Sequence, residues 1–157
     1  MNYRNGTVRT RSLSVALAFT VAFSIGSHQA RATQSAEKCD LHFSNGITLA
    51  GVPVVRTIEQ QAKGLSKRDN VGPGMLFSWD KAEPRIFWMR DTYVPLSIGF
   101  FDHSGRLFAV EDMQPETDDR HYSIQPALDA LELARGEFQK YGLKVGVRLT
   151  ARTCVAQ

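Results

Sequence analysis

From residue 39 onward the apolar positions come in short runs, many alternating with polar ones, and most runs stop at Gly, Pro, Asn or Asp. That spacing predicts a series of short strands rather than long helices. Leu41–Ser44 and Ile47–Arg56 read as two strands joined by Asn45-Gly46, a dipeptide suited to the positive φ angles of a two-residue hairpin. Thr57 and Gln60 make a capping box ahead of Ile58–Lys63, with Gly64 where a helix ends, so one short helix is expected there. Residues 65–73 read as an irregular charged connection, and Gly72-Pro73-Gly74 turns the chain into the apolar run Met75-Leu76-Phe77. After a polar loop at 80–84, Ile86–Tyr93 alternates as a strand, with Phe87, Met89 and Asp91 on one face and Trp88, Arg90 and Thr92 on the other. Pro95 interrupts it. Leu96–Phe101 and Arg106–Met113 read as a hairpin across Asp102–Gly105, followed by a polar loop at 114–121. Leu128–Leu133 is a further strand, Gly136–Tyr141 a short helix and Val145–Thr153 the last strand. The expected fold is α+β and β-dominated: a single compact domain, a curled sheet or partly open barrel of about seven short strands with one or two short helices.

Charge and cysteine placement change the picture at the N-terminus. Arg4, Arg9 and Arg11 precede an apolar stretch from Leu13 to Gly26, and Ala30-Arg31-Ala32 fits the small-x-small cleavage rule, so residues 1–32 read as a cleaved secretory signal. The stretch is shorter than the roughly 20 apolar residues a spanning helix needs. Residues 33–157 then form one exported domain, periplasmic or extracellular, with no membrane anchor after signal cleavage. The whole chain carries 19 Lys and Arg against 16 Asp and Glu. Because Arg4, Arg9, Arg11 and Arg31 fall in the signal, the remainder balances 15 against 16, a net charge of −1. With no basic stripe left, nucleic acid is not an expected partner. Cys39 and Cys154 lie near the two ends of the domain, and in an oxidising compartment such a pair predicts a disulfide. Two free thiols are the alternative if the Cα atoms lie more than about 7 Å apart.

The ordered series Gly64-Leu65, Gly74-Met75-Leu76-Phe77, Phe87-Trp88-Met89-Arg90, Thr92, Pro95-Leu96, Gly105, Leu131-Glu132-Leu133 and Gly136 resembles the bacterial and archaeal domain-of-unknown-function family 192. The resemblance spans about residues 50–150. It implies a compact β-rich domain of a small exported protein and supplies no activity. Two positions depart from the family pattern. Asp91 stands where that pattern reads Asn in Trp-Met-Lys-Asn-Thr, and Ser97 stands where it reads Asp in Pro-Leu-Asp. If both positions line one site, a negative charge has been relocated rather than lost.

The densest chemistry lies between Gly72 and Asp102. Phe87, Trp88 and Met89 with Met75, Phe77 and Trp79 read either as core or as the wall of an apolar pocket. Arg90, Asp91 and Thr92 follow this run where a strand would reach a rim, and Arg90 suits either a bidentate clamp on an anion or an internal ion pair. Glu132, between two leucines, faces away from them, and a buried carboxylate there needs a donor, for which Arg90 is the natural candidate. The expected site comprises Trp88, Arg90, Asp91, Thr92, Ser97 and Glu132. It suits a small binding or accessory module at the cell envelope, whose partner is an unknown small molecule or an envelope protein. An envelope hydrolase using Asp91 and Glu132 as paired carboxylates is the alternative; a protein–protein interaction domain is the third. Whether the chain is an enzyme stays open. No cofactor or metal is expected, since His42, His103 and His121 are isolated from second ligands and no GxSxG elbow surrounds any serine.

Overall fold

The computed structural model describes residues 35–155, so the predicted signal at 1–32 lies outside the described residues. In chain order the elements are β1 (Glu37–Phe43), β2 (Thr48–Val55), α1 (Ile58–Lys63), β3 (Met75–Glu83), β4 (Ile86–Phe87), β5 (Leu96–Phe101), β6 (Leu107–Met113), β7 (His121–Tyr122), β8 (Ala127–Ala134), α2 (Glu137–Lys140) and β9 (Leu149–Val155). Seven of the strands make one sheet in the order β6-β5-β8-β3-β2-β1-β9, while β4 and β7 form a separate two-stranded ribbon. All pairs are antiparallel except β2 and β3, which run parallel because the crossover through α1 returns the chain to the same end. The fold is thus a β-dominated single domain with two short helices.

The sheet curls until its edges touch at one end. Arg106 bridges Arg148, Leu107 N–H donates to the Val147 carbonyl at 2.8 Å, and Leu149 N–H donates to the Gly105 carbonyl at 2.8 Å. Beyond that point β6 and β9 do not pair, so the barrel stays partly open. Alternation along the strands sends side chains to two apolar clusters. The first, inside the curl, gathers Leu41, Val52, Leu76, Leu131 and Leu133 and takes Phe138 from α2. The second, on the outer face of β3, β8 and β5, gathers Met75, Phe77, Ile98 and Phe100 and is covered by Phe87 of β4 and by Leu65 and Met89 from the connections. This outer cluster carries the candidate site.

Local chemistry explains most elements. Thr57 accepts from Gln60 N–H at 3.2 Å and Gln60 Oε1 accepts from Thr57 N–H at 3.3 Å, a reciprocal cap that starts α1. Cys39 and Cys154 stand opposite each other in the β1–β9 ladder and are joined as a disulfide. The expected strand over 86–93 is a correction: only Ile86–Phe87 is strand, and a turn follows in which Thr92 N–H donates to the Met89 carbonyl at 3.0 Å and Asp91 takes φ 56°. Other loops bond to this turn. Lys67 N–H donates to the Asp91 carbonyl at 2.7 Å and Glu116 N–H to the Thr92 carbonyl at 3.0 Å. Burial alternates from Phe87 to Arg90 as it would in a strand, which is why the pattern resembles one, and the alternation breaks where Arg90 and Asp91 are both exposed and Thr92 is buried. The expected loop at 80–84 is another, since β3 continues to Glu83, and the last strand begins at Leu149 rather than Val145.

Candidate functional site

The site starts from one residue of β8. Leu131 and Leu133 point into the inner cluster, so Ala130, Glu132 and Ala134 point outward, with Glu132 in register between Met75 of β3 and Ile98 of β5. The two alanines flanking Glu132 on that face are small, and the outer layer arches over it. The chain reaches β3 through Gly74, at φ 86°, where an added Cβ would lie 2.4 Å from the Glu132 carbonyl oxygen. Only glycine permits that approach.

Above Glu132 lies a cavity of about 270 Å³, at the small end of the range typical of ligand sites. Phe77, Trp79, Phe87 and Trp88 supply aromatic walls, and Ile58, Gln61 and Lys63 of α1 supply the opposite side. The rings hold one another: Phe77 meets Phe87 edge-on at 5.0 Å, and Trp79 meets Phe87 edge-on at 6.3 Å between centroids. Gln61 fixes α1 against them, accepting from Trp79 Nε1 at 3.0 Å while donating to the carbonyls of Val55 and Ser78. Glu132 is 5 % exposed, and no hydrogen bond or ion pair reaches its carboxyl from the described residues. Burial without a compensating partner pushes its pKa up to about 8. At neutral pH the group is mostly a protonated acid.

The six expected site residues separate into two groups. Trp88, Arg90, Thr92 and Glu132 line the cavity, whereas Asp91 and Ser97 do not. Trp88 is half-exposed, with the Arg120 guanidinium 4.6 Å from its ring centroid. Arg90 turns outward and pairs with Asp118 at 2.7 Å instead of with Glu132. The hydrogen bond from Arg90 holds the Asp118 carboxyl below its usual range. Thr92 is buried, and Asp91 is exposed on the turn. Ser97 is buried on the face of β5 opposite Ile98, hence opposite Glu132, and its hydroxyl donates to Asp112 at 2.5 Å. Met75 and Met89 belong to the core, Phe77, Trp79 and Phe87 are both core and wall, and Trp88 is wall alone.

Sequence reasoning missed the contribution of α1. The sequence carries only a faint signal, Ile58 and Ala62 four residues apart on an otherwise polar helix, and in the structure none of its residues is buried and Ile58 is 82 % exposed. A helix with so little core contact needs another use for its apolar groups. The buried Asp129 was also missed, although it shares strand parity with Leu131 and Leu133 and must therefore face inward. It pairs with Arg152, and both Arg152 and Arg56 donate to the Ser78 hydroxyl, at 2.9 and 3.0 Å, closing a polar cluster within the curl. Among the described residues the grouping of metal-type donors is Glu37 with Cys39 and Cys154, whose two sulfurs are bonded to each other.

Comparison with known proteins gives a consistent placement. The model of family DUF192, described as an uncharacterized ACR, matches residues 42–151. The chain is similar to a solved structure from Sinorhizobium meliloti described as a candidate transcription regulator, with 30% identity and a TM-score of 0.65, covering 73% of this chain and 94% of that one. It is also similar to a protein of unknown function from Novosphingobium aromaticivorans, with 27% identity and a TM-score of 0.65, covering 77% of this chain and 88% of that one. No curated protein matches.

Proposed function

The chain belongs to the uncharacterised family DUF192, and we propose that it is an exported ligand-binding or accessory module whose site is the cavity above Glu132. One observation carries this reading: a carboxyl at 5 % exposure faces an aromatic-walled cavity with no partner from the described residues. Leaving a polar group buried and unpaired costs about 1–3 kcal/mol. That cost supports reading the carboxyl as a directing group for a ligand. Export is supported by the signal-like residues 1–32 and by the disulfide, and no helix among the described residues is long and apolar enough to cross a membrane.

A protein partner is the second reading, favoured by the exposure of Ile58, Ile86 and Trp88 around the mouth. The hydrolase using Asp91 and Glu132 has weaker support, because Asp91 lies outside the cavity lining. Direct nucleic-acid binding, one way in which a transcription regulator such as the Sinorhizobium protein's description names could act, has little electrostatic support here, given the net charge of −1 over residues 33–157.

The chain's 2 tryptophans, Trp79 and Trp88, both line the cavity, so selectively excited Trp emission reports on this site. Screening small envelope metabolites by Trp emission and melting midpoint should find a compound that shifts both. Ala62→Phe, placed on α1 at the cavity, should abolish the shift while leaving the fold intact. A compound that acts equally on that variant, or a screen in which emission never moves, would count against the cavity as the site.

A further inference from the structure

The polar groups around the cavity differ in how far they are already committed. Gln61 is committed to Trp79 and to two backbone carbonyls, and Arg90 to Asp118. Lys63 is exposed at the mouth. What faces the cavity is the Glu132 carboxyl, with no partner among the described residues, and the aromatic rings of Phe77, Trp79, Phe87 and Trp88. Both are electron-rich, since an aromatic face carries the negative part of the ring quadrupole and an ionised carboxylate accepts up to four hydrogen bonds. The two indoles already show this preference towards cations of the chain itself. The Arg85 guanidinium lies 4.1 Å from the Trp79 ring centroid, and that of Arg120 lies 4.6 Å from the Trp88 centroid.

We propose that this cavity takes a small organic cation bearing a primary ammonium or guanidinium group, which pairs with Glu132 between the aromatic walls. The proposal rests on the ligand-binding reading above and names its ligand class. An anionic ligand fits less well, because it would face the aromatic rings and, once Glu132 ionises, a second negative charge. The binding step balances as an exchange: the Glu132 acid releases its proton to solvent, and the incoming N–H groups donate to the carboxylate. One proton leaves for each cation bound. Because the free carboxyl titrates at about 8, apparent affinity should rise about tenfold per pH unit up to that value and level off above it.

The test is titration calorimetry of the disulfide-bonded protein with n-butylammonium, n-butylguanidinium, butyrate and 1-butanol, between about pH 6 and pH 9 in buffers of different ionisation enthalpy. The expected result is that a cation binds, with affinity rising with pH and release of one proton below pH 8. Glu132→Gln, isosteric and neutral, should remove the proton release and weaken cation binding at least tenfold at pH 8. Trp88→Ala should weaken binding severalfold while leaving proton release in place. If butyrate or butanol binds in preference to the cations, or cation binding survives Glu132→Gln unchanged, the cation proposal falls and the ligand-binding reading stands. If none of the four compounds binds at tens of millimolar, the cation proposal falls as well, and the metabolite screen alone then bears on the broader reading.

Discussion

Asp91 sits in the left-handed region at φ 56°, where Asn and Asp are several-fold enriched over other side-chain-bearing residues. Exchange between those two residues is therefore a backbone-compatible change, and the exposed Asp91 carboxylate need not act in the cavity. The notion that charge moved from position 97 to position 91 loses its premise, since Ser97 faces the other side of the sheet from Glu132. Asp91→Asn should change stability by less than about 0.5 kcal/mol in urea unfolding, whereas Asp91→Val, β-branched at positive φ, should destabilise by about 1–3 kcal/mol. Glu132 makes the opposite case, with its effect carried by charge. Its folded-state pKa of about 8 lies above the ordinary 4.5. Its contribution to stability is thus fully present below about 4.5 and is lost as pH rises to about 8. Glu132→Gln should match the parent protein near pH 4 and exceed its stability by a few kcal/mol at pH 8. Melting curves across that range check the sign.

Among the elements, β3, β8 and the turn at 88–95 decide the site. The hydrophobic pattern already placed Glu132 on the face opposite Leu131 and Leu133, and the structure agrees. It also offered Arg90 as the partner, and here the pattern was insufficient. Two-residue periodicity describes alternation of burial, which Phe87 to Arg90 satisfy although only Ile86–Phe87 is strand; the alternation then breaks, because the turn exposes Asp91 and buries Thr92. Once the chain turns, Arg90 meets Asp118 of a connection far along the sequence, and that meeting is a tertiary event. Gly74 ties the two strands together. Gly74→Ala would place a Cβ 2.4 Å from the Glu132 carbonyl oxygen and 2.6 Å from Leu133 Cδ2, at φ 86°. That variant should lose at least about 2 kcal/mol in denaturant midpoint measurements, beyond the usual effect of strain alone, because backbone of β8 must move.

At the scale of the molecule, the fold depends on joining its two ends. β1 and β9 pair antiparallel, and the Cys39–Cys154 disulfide closes a separation of 115 residues across that ladder. For a loop near that length the chain-entropy model assigns about 4–5 kcal/mol. Cys39→Ser with Cys154→Ser should therefore lower stability by about 2–5 kcal/mol, read by urea unfolding under oxidising conditions, with little change in the cavity on the other side of β8. Local sequence determined a good deal of this protein: most of the strands of the main sheet, the capped start of α1, the β-dominated class, the pairing of the two cysteines and the outward face of Glu132. These follow from periodicity, turn chemistry and compartment, which act over a few residues or on the chain as a whole. Only the tertiary structure decided that Glu132 has no partner, that Arg90 turns away, and that α1 and four aromatic rings enclose a cavity over the carboxyl. Such outcomes depend on which groups from distant segments arrive at the same place, and no short-range pattern in the chain encodes those meetings.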